Sequence, residues 1–220
     1  HTPPRRMPMI PRAEAVILVH GLFMTGWGMT VVRRRLLRIG FTTHQFSYPS
    51  TRFEPLRNAQ DLNTFTDRID APVIHFVAHS LGGLVVRHFF HEFPPRRPGR
   101  IVTLATPHQG SRAAAKLALT GCGRAVLRKS LEQGLLGDLP AWNGQHEIGA
   151  IAGSASIGLG RLFAEIAKPN DGTVAVSEAL LPNATDNVVL PVAHFGMLLS
   201  QRVAEEIGFF LLHGRFQHAV

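Results

Sequence analysis

Ser80 stands in the stretch "VAHSLGGLVV" (residues 77–86), between an apolar run of strand character and an apolar run of helix character. Ala78 lies two residues before it and Gly82 two residues after it. Small side chains at those two places let a chain turn sharply from strand into helix, and such a turn lifts the serine oxygen above the elements it joins. A hydroxyl is a poor nucleophile until a base takes its proton, and that base needs a carboxylate to orient it. Downstream, "KPNDGTV" (168–174) sets Asp171 in a turn before Gly172, and "VAHFGML" (192–198) sets His194 at the head of the last predicted helix. Serine, acid and histidine in this order form a complete set for acyl transfer through a covalent intermediate.

Other candidates fit less well. Asp186 directly precedes a predicted strand, which puts it at the opposite edge of a sheet, and Asp138 falls in an excursion away from it. His213 and His218 lie at the C-terminal end, His88 and His91 on the helix after Ser80, and His79 beside the nucleophile with its side chain turned elsewhere. Acyl transfer also needs donors for the oxyanion. The N–H of Leu81, at the start of a helix whose dipole favours negative charge, is one. The second belongs to the loop "VHGLFMTGWG" (19–28), with Leu22 the first choice and Phe23 the alternate. Phe23, Met24 and Met197 are the candidate lining of an acyl pocket, while Trp27 is expected in the core.

These residues need a scaffold that brings loop ends together. "AVILV" (15–19), "TTHQFSY" (42–48), "PVIHFVA" (72–78), "RIVTLA" (100–105), "EIGAIAG" (147–153) and "NVVLP" (187–191) read as strands. Helical spacing separates them at 27–39, 55–69 and 81–90 and returns at 195–213. Alternating strands and helices imply an α/β domain with a parallel sheet, in which ligands meet the carboxyl ends of the strands. Ser80, Asp171 and His194 all fall at that edge. Residues 1–13 read as a tail and 14–220 as a single domain, with a glycine-interrupted helical cap inserted around 112–146.

Composition sets outer bounds. The chain has 220 residues, 45% of them hydrophobic and 17% charged, which is ordinary for a globular domain. The lone Cys122 leaves no partner for an internal disulfide. No apolar run approaches the ~18 residues of a membrane span, and no stretch reads as a targeting leader. The net charge of +8 permits attraction to an anionic membrane surface. Arg33, Arg34 and Arg35, however, fall largely on the outer face of an amphipathic helix, and no nucleic-acid motif accompanies them. Nucleic acid is therefore not an expected partner, and peripheral membrane contact is an open one.

Together "VHGLF", "AHSLGG", "ATPHQGS", "NDGTV" and "VAHFGML" resemble, in order and context, the α/β-hydrolase lipases and esterases, over about residues 14 to 213. The Ala-x-Ser-x-Gly form is similar to that of small bacterial triacylglycerol lipases, and "TPHQGS" (106–111) also resembles the lipase-like domain of GPI-inositol deacylases. The resemblance implies a compact α/β-hydrolase fold of about six mostly parallel strands flanked by helices, with a short helical cap. It makes Ser80 the nucleophile, Asp171 the orienting acid and His194 the base, with Leu22 and Leu81 forming the oxyanion hole. Its expected substrate is an acyl ester or lipid of short to medium chain, with no cofactor and no metal; His108 is given a structural place. An acyltransferase or thioesterase would use the same triad, and a non-catalytic binding module could share the fold.

Overall fold

The computed structural model describes residues 14–94, 96–142, 144, 146–156 and 166–218; the expected tail at 1–13 lies outside them. Six strands form one parallel sheet: β1 (Glu14–Val19), β2 (Thr42–Phe46), β3 (Val73–His79), β4 (Ile101–Leu104), β5 (Ile148–Gly153) and β6 (Asp186–Leu190). Their order is β2-β1-β3-β4-β5-β6. The chain leaves β1 for β2 on one side, then crosses back to place β3 on the other. The order therefore reverses between β1 and β3, and the crevice at their carboxyl ends is where such sheets bind ligands.

Burial on both faces explains why these strands are almost wholly apolar. Side chains alternate across the sheet. Ala15, Ile17 and Val19 of β1 join Phe76 and Ala78 in a core beneath helices α2 (Pro55–Asp67) and α3 (Leu81–Glu92), represented there by Leu62, Val86, Phe89 and Phe90. Val16 and Leu18 point the other way, into a core with Val32 and Leu36 of α1 (Thr30–Ile39) and with a last helix ending at His213. Among the described residues the remaining helices are α4 (Arg112–Ala118), α5 (Gly121–Leu127), α6 (Val176–Ala179) and that last helix, α7 (Gln201–His213).

Differences from the expected elements have local causes. The second strand stops at Phe46 rather than Tyr48, because Tyr48 turns inward: its N–H donates to His20 Nε2 and its hydroxyl to the His20 carbonyl. The final helix begins at Gln201, where Ser200 caps it by accepting from the Val203 N–H, and the residues before it form a short 3-10 turn (Gly196–Leu198). Trp27 is not a core residue; it is 82% exposed, on a 3-10 turn (Gly26–Met29) over the end of β2. Trp142, expected among the apolar residues of the cap, instead enters the core under α3 and packs edge-on against Phe90.

Glycine is required where α3 starts. A Cβ on Gly82 would lie 2.5 Å from the His20 carbonyl oxygen and 2.6 Å from that of Val19, both backbone atoms that cannot swing away. Gly83 likewise meets the Thr106 side chain. The absent side chains let α3 press directly on the end of β1 at Gly82 and on the segment after β4 at Gly83. Gly82→Ala is expected to cost about 2 kcal/mol of stability, as overpacking does, and to lower Tm by about 4–8 °C. An unchanged Tm would show that the two elements separate freely.

Candidate active site

The turn after β3 is tight and held from two sides. Ser80 has φ 52° and ψ −124°, a combination that residues with a side chain rarely adopt. Its N–H donates to the Leu104 carbonyl at 2.8 Å, and its own carbonyl accepts from Thr106 Oγ1 at 3.0 Å. These bonds to β4 and the loop beyond it offset the local strain. The Ser80 hydroxyl makes no capping bond to α3.

Asp171 and His194 meet from separate loops. Asp171 is 1% exposed, yet both of its carboxylate oxygens have hydrogen-bond donors. Oδ1 accepts from the N–H groups of Thr173 and Val174 at 2.9 and 2.7 Å, and Oδ2 accepts from His194 Nδ1 at 2.8 Å. The His194 N–H in turn donates to the Asp171 carbonyl at 3.0 Å. With Nδ1–H committed to the carboxylate, Nε2 is the ring nitrogen left to accept a proton. Among the described residues Ser80 Oγ and His194 are not directly hydrogen-bonded; such contacts commonly tighten only when substrate is bound.

His79 connects these parts. Its fully buried ring lies 4.7 Å from that of His194, centroid to centroid, and its Nε2–H donates to the His194 carbonyl at 3.2 Å. Its other nitrogen has no hydrogen-bond partner and faces Gly21, where a Cβ would stand 2.9 Å away. Burial, and after it the neighbouring His194, hold the His79 pKa well below its ordinary value. A neutral imidazole thus touches the β3 turn, the loop after β1 and the loop after β6. Sequence alone leaves His79 as a bystander, since nothing in its spacing announces two contacts so far away in the chain.

The loop after β1 is braced by His20, whose ring stacks on Tyr48 at 4.4 Å and donates from Nδ1 to the Gly21 carbonyl at 2.8 Å. Of the two candidate donors there, Phe23 has given its N–H to Ser50 Oγ at 3.1 Å. Among the described residues neither the Leu22 N–H nor the Leu81 N–H has an acceptor, and both side chains belong to one apolar cluster. The candidate pocket residues divide. Phe23 is 63% exposed at the rim, Met24 packs partly buried against the core beneath α1, and Met197 is fully buried in that same core, close to Gly153 and Asp171.

Competing carboxylates and histidines are engaged elsewhere. Asp186 accepts from the Phe216 N–H and pairs with His218. His88 bonds the Gln133 carbonyl, and His91 lies beside Glu92. His108 bonds Thr103 Oγ1 at 3.0 Å while its carbonyl accepts from Arg87. Glu178, absent from the candidates above, is a buried carboxylate that accepts from the N–H groups of Arg112 and Ala175, tying the loop after β4 to the segment after Asp171. No group of three or more metal-ligating side chains occurs among the described residues.

Burial, with Arg87 a lesser cause, pulls the His108 pKa down from 6.5 to about 3. The unfolded chain therefore binds a proton here that the folded chain refuses between those values. Stability from this site is complete above pH ~6.5 and is lost as pH falls toward ~3. Tm measured across that window should decline toward acid, and His108→Asn should decline less steeply. Parallel slopes would remove His108 from the acid response.

Comparison with known proteins follows this geometry. Residues 16–206 match a family model described as the alpha/beta hydrolase family. The mature form of the lipase BlEst2 of Bacillus licheniformis is similar in structure, with a TM-score of 0.70 at 17% identity over 94% of each chain. The metagenomic carboxyl esterase MGS0156 has a TM-score of 0.66 at 17% identity, over 84% of this chain and 66% of that one. A lipase-esterase related protein from Clostridium acetobutylicum ATCC 824 has a TM-score of 0.61 at 13% identity, over 92% of this chain and 97% of that one. At these identities the likeness is one of fold. No curated protein sequence matches the chain.

Proposed function

The chain belongs to the alpha/beta hydrolase family, and from that premise we propose that it is a serine carboxylic-ester hydrolase with Ser80 as nucleophile, His194 as base and Asp171 as orienting acid. The observation that carries the reading is the buried Asp171–His194 pair, at 2.8 Å, beside the strained Ser80 turn. Lipases and esterases among the structurally similar proteins support the same class.

In this mechanism Ser80 Oγ attacks the ester carbonyl as its proton passes to His194 Nε2. The imidazolium so formed is stabilised by the Asp171 carboxylate, which two backbone N–H groups and the histidine itself hold in place. The carbonyl oxygen becomes an oxyanion facing the N–H groups of Leu22 and Leu81. Each such donor contributes about 3–4 kcal/mol to the transition state in sites of this kind. Collapse of the tetrahedral intermediate expels the alcohol with the proton from His194 and leaves an acyl group on Ser80. Water then repeats the sequence: His194 takes its proton, the acid leaves, and Ser80 regains its hydrogen. A neutral His79 serves this cycle, because a second positive ring 4.7 Å away would oppose the charge that His194 must gain. The partly open rim at Phe23 and the short excursion over α3 fit short to medium acyl chains.

A p-nitrophenyl ester series from short to long acyl chain tests the assignment. Ser80→Ala should lower turnover at least about a thousandfold, and Asp171→Asn by a similar order. Asp186→Asn should leave turnover close to wild type, since Asp186 serves the far edge of the sheet. Equal losses in the two aspartate variants would overturn Asp171 as the acid. Undiminished turnover in Ser80→Ala would overturn the mechanism.

A further inference from the structure

The outer side of the segment after β4 concentrates charge that the triad does not use. Arg52, Arg124 and Arg128 border an open basin of about 500 Å³, with Leu131 and Leu136 in its lining. Lys129 and Glu132 also border it and pair with each other, Lys129 Nζ lying 3.0 Å from both Glu132 and Glu54. Those contacts occupy the nearby carboxylates. Among the described residues Arg52, Arg124 and Arg128 have no acidic partner, and Arg52 is held over the Phe53 ring at 5.4 Å. Arg128 caps α5 with φ 49° and ψ −127°, nearly the combination found at Ser80. Glycine would meet that backbone demand without strain, yet the position carries a guanidinium.

The basin is linked by packing and by hydrogen bonds to the elements that carry Ser80. Leu131 shares an apolar cluster with Leu81 and Leu22, the two residues whose N–H groups face the oxyanion in the mechanism above. The Lys129 N–H donates to the Thr51 carbonyl, next to the Ser50 hydroxyl that holds Phe23. Arg52 follows Ser50 and Thr51 directly in the chain, so this edge of the basin is tied to the loop after β1 through Ser50 and Phe23. Guanidinium groups bind oxyanions through paired, charge-assisted hydrogen bonds. Three of them exceed what one carboxylate needs and suit a phosphate, with its greater charge and three acceptor oxygens.

We propose that this basin binds a phosphate group carried by the acyl ester that enters the Ser80 site. The inference rests on the hydrolase reading and narrows it to phosphate-bearing esters, whose acyl or glyceryl chain would lie along the exposed Leu136.

Dihexanoylglycerol and dihexanoylglycerol phosphate, both kept below their micelle concentrations, differ only by the phosphate. The phosphate ester should have a kcat/KM about tenfold higher or more, as charge-assisted bonds of this kind provide. The ratio should collapse toward one in the Arg124→Ala/Arg128→Gly double variant, whose glycine also suits the backbone at 128. A ratio near one in wild type, or one that survives in the variant, would overturn the subsite. Calorimetric binding of the dihexyl ether analogue of the phosphate reads the same site without turnover. Arginine-dependent binding with neither ester hydrolysed would keep the phosphate site and sink the hydrolase reading. Ester hydrolysis with binding equal in wild type and variant would do the reverse.

Discussion

Everything at the carboxyl edge of the sheet depends on how closely α3 approaches the end of β1. At Gly82 that contact is backbone against backbone, under the carbonyls of Val19 and His20, and beside it Gly21 lies against the His79 ring and the Ser80 Cβ. A methyl group at either glycine would force the two turns apart. Because they touch, Leu22 of the loop after β1 and Leu81 of α3 pack in one cluster beside the Ser80 turn. The strained φ of Ser80 is the cost of this approach, and the bonds from Ser80 to Leu104 and Thr106 hold it in place.

Electrostatics at the site follow a simple division. One buried carboxylate, Asp171, accepts three hydrogen bonds, while the surrounding histidines are kept neutral. Burial lowers the pKa values of His20, His79 and His108, so none of these rings competes with His194 for a proton at neutral pH. Each has a positional task instead: His20 braces the loop after β1, His79 spans three loops, and His108 fastens the segment after β4. A buried network of this kind favours one arrangement, because leaving any member unpaired is costly in a medium of low polarity.

The excursion after β4 has two unlike sides. Inward, Ala114, Leu127, Leu131 and Leu135 seal the start of α3 by packing on Leu81 and Leu84. Outward, it presents Arg124 and Arg128, which have no acidic partner among the described residues, together with exposed Leu119, Val126 and Leu136. The inner side is ordinary core; the outer side carries part of the chain's positive charge. Much of the rest of that charge is spent on structure. Arg97 donates to the carbonyls of Thr66 and Ile69 at the end of α2, and Arg100 reaches Leu211 and Leu212 in α7.

Most of the scaffold was legible in the sequence, because both of its signals are local. Short β-branched runs mark strands buried on two faces, and helical spacing marks the elements between them. The small residues around Ser80, the turn at Asp171 and the strand-to-helix junction at His194 were readable for the same reason: the demands of a tight turn fall within a few residues. Long-range contacts were not readable. Trp27 looks like a core residue by type, but its turn carries it outside, and Trp142 looks like part of a cap but fills a gap beside Phe90. Nothing near Phe23 in the sequence tells that Ser50 takes its N–H, nor does anything beside Ser80 tell that His79 bonds the residue at 194. The sequence by itself determined which elements form and which residue types stand at their ends. Only the tertiary structure decided which donors are left unpaired, which histidines stay neutral and which arginines lack a partner, because each of these depends on groups distant in the chain meeting across the strand-order reversal between β1 and β3.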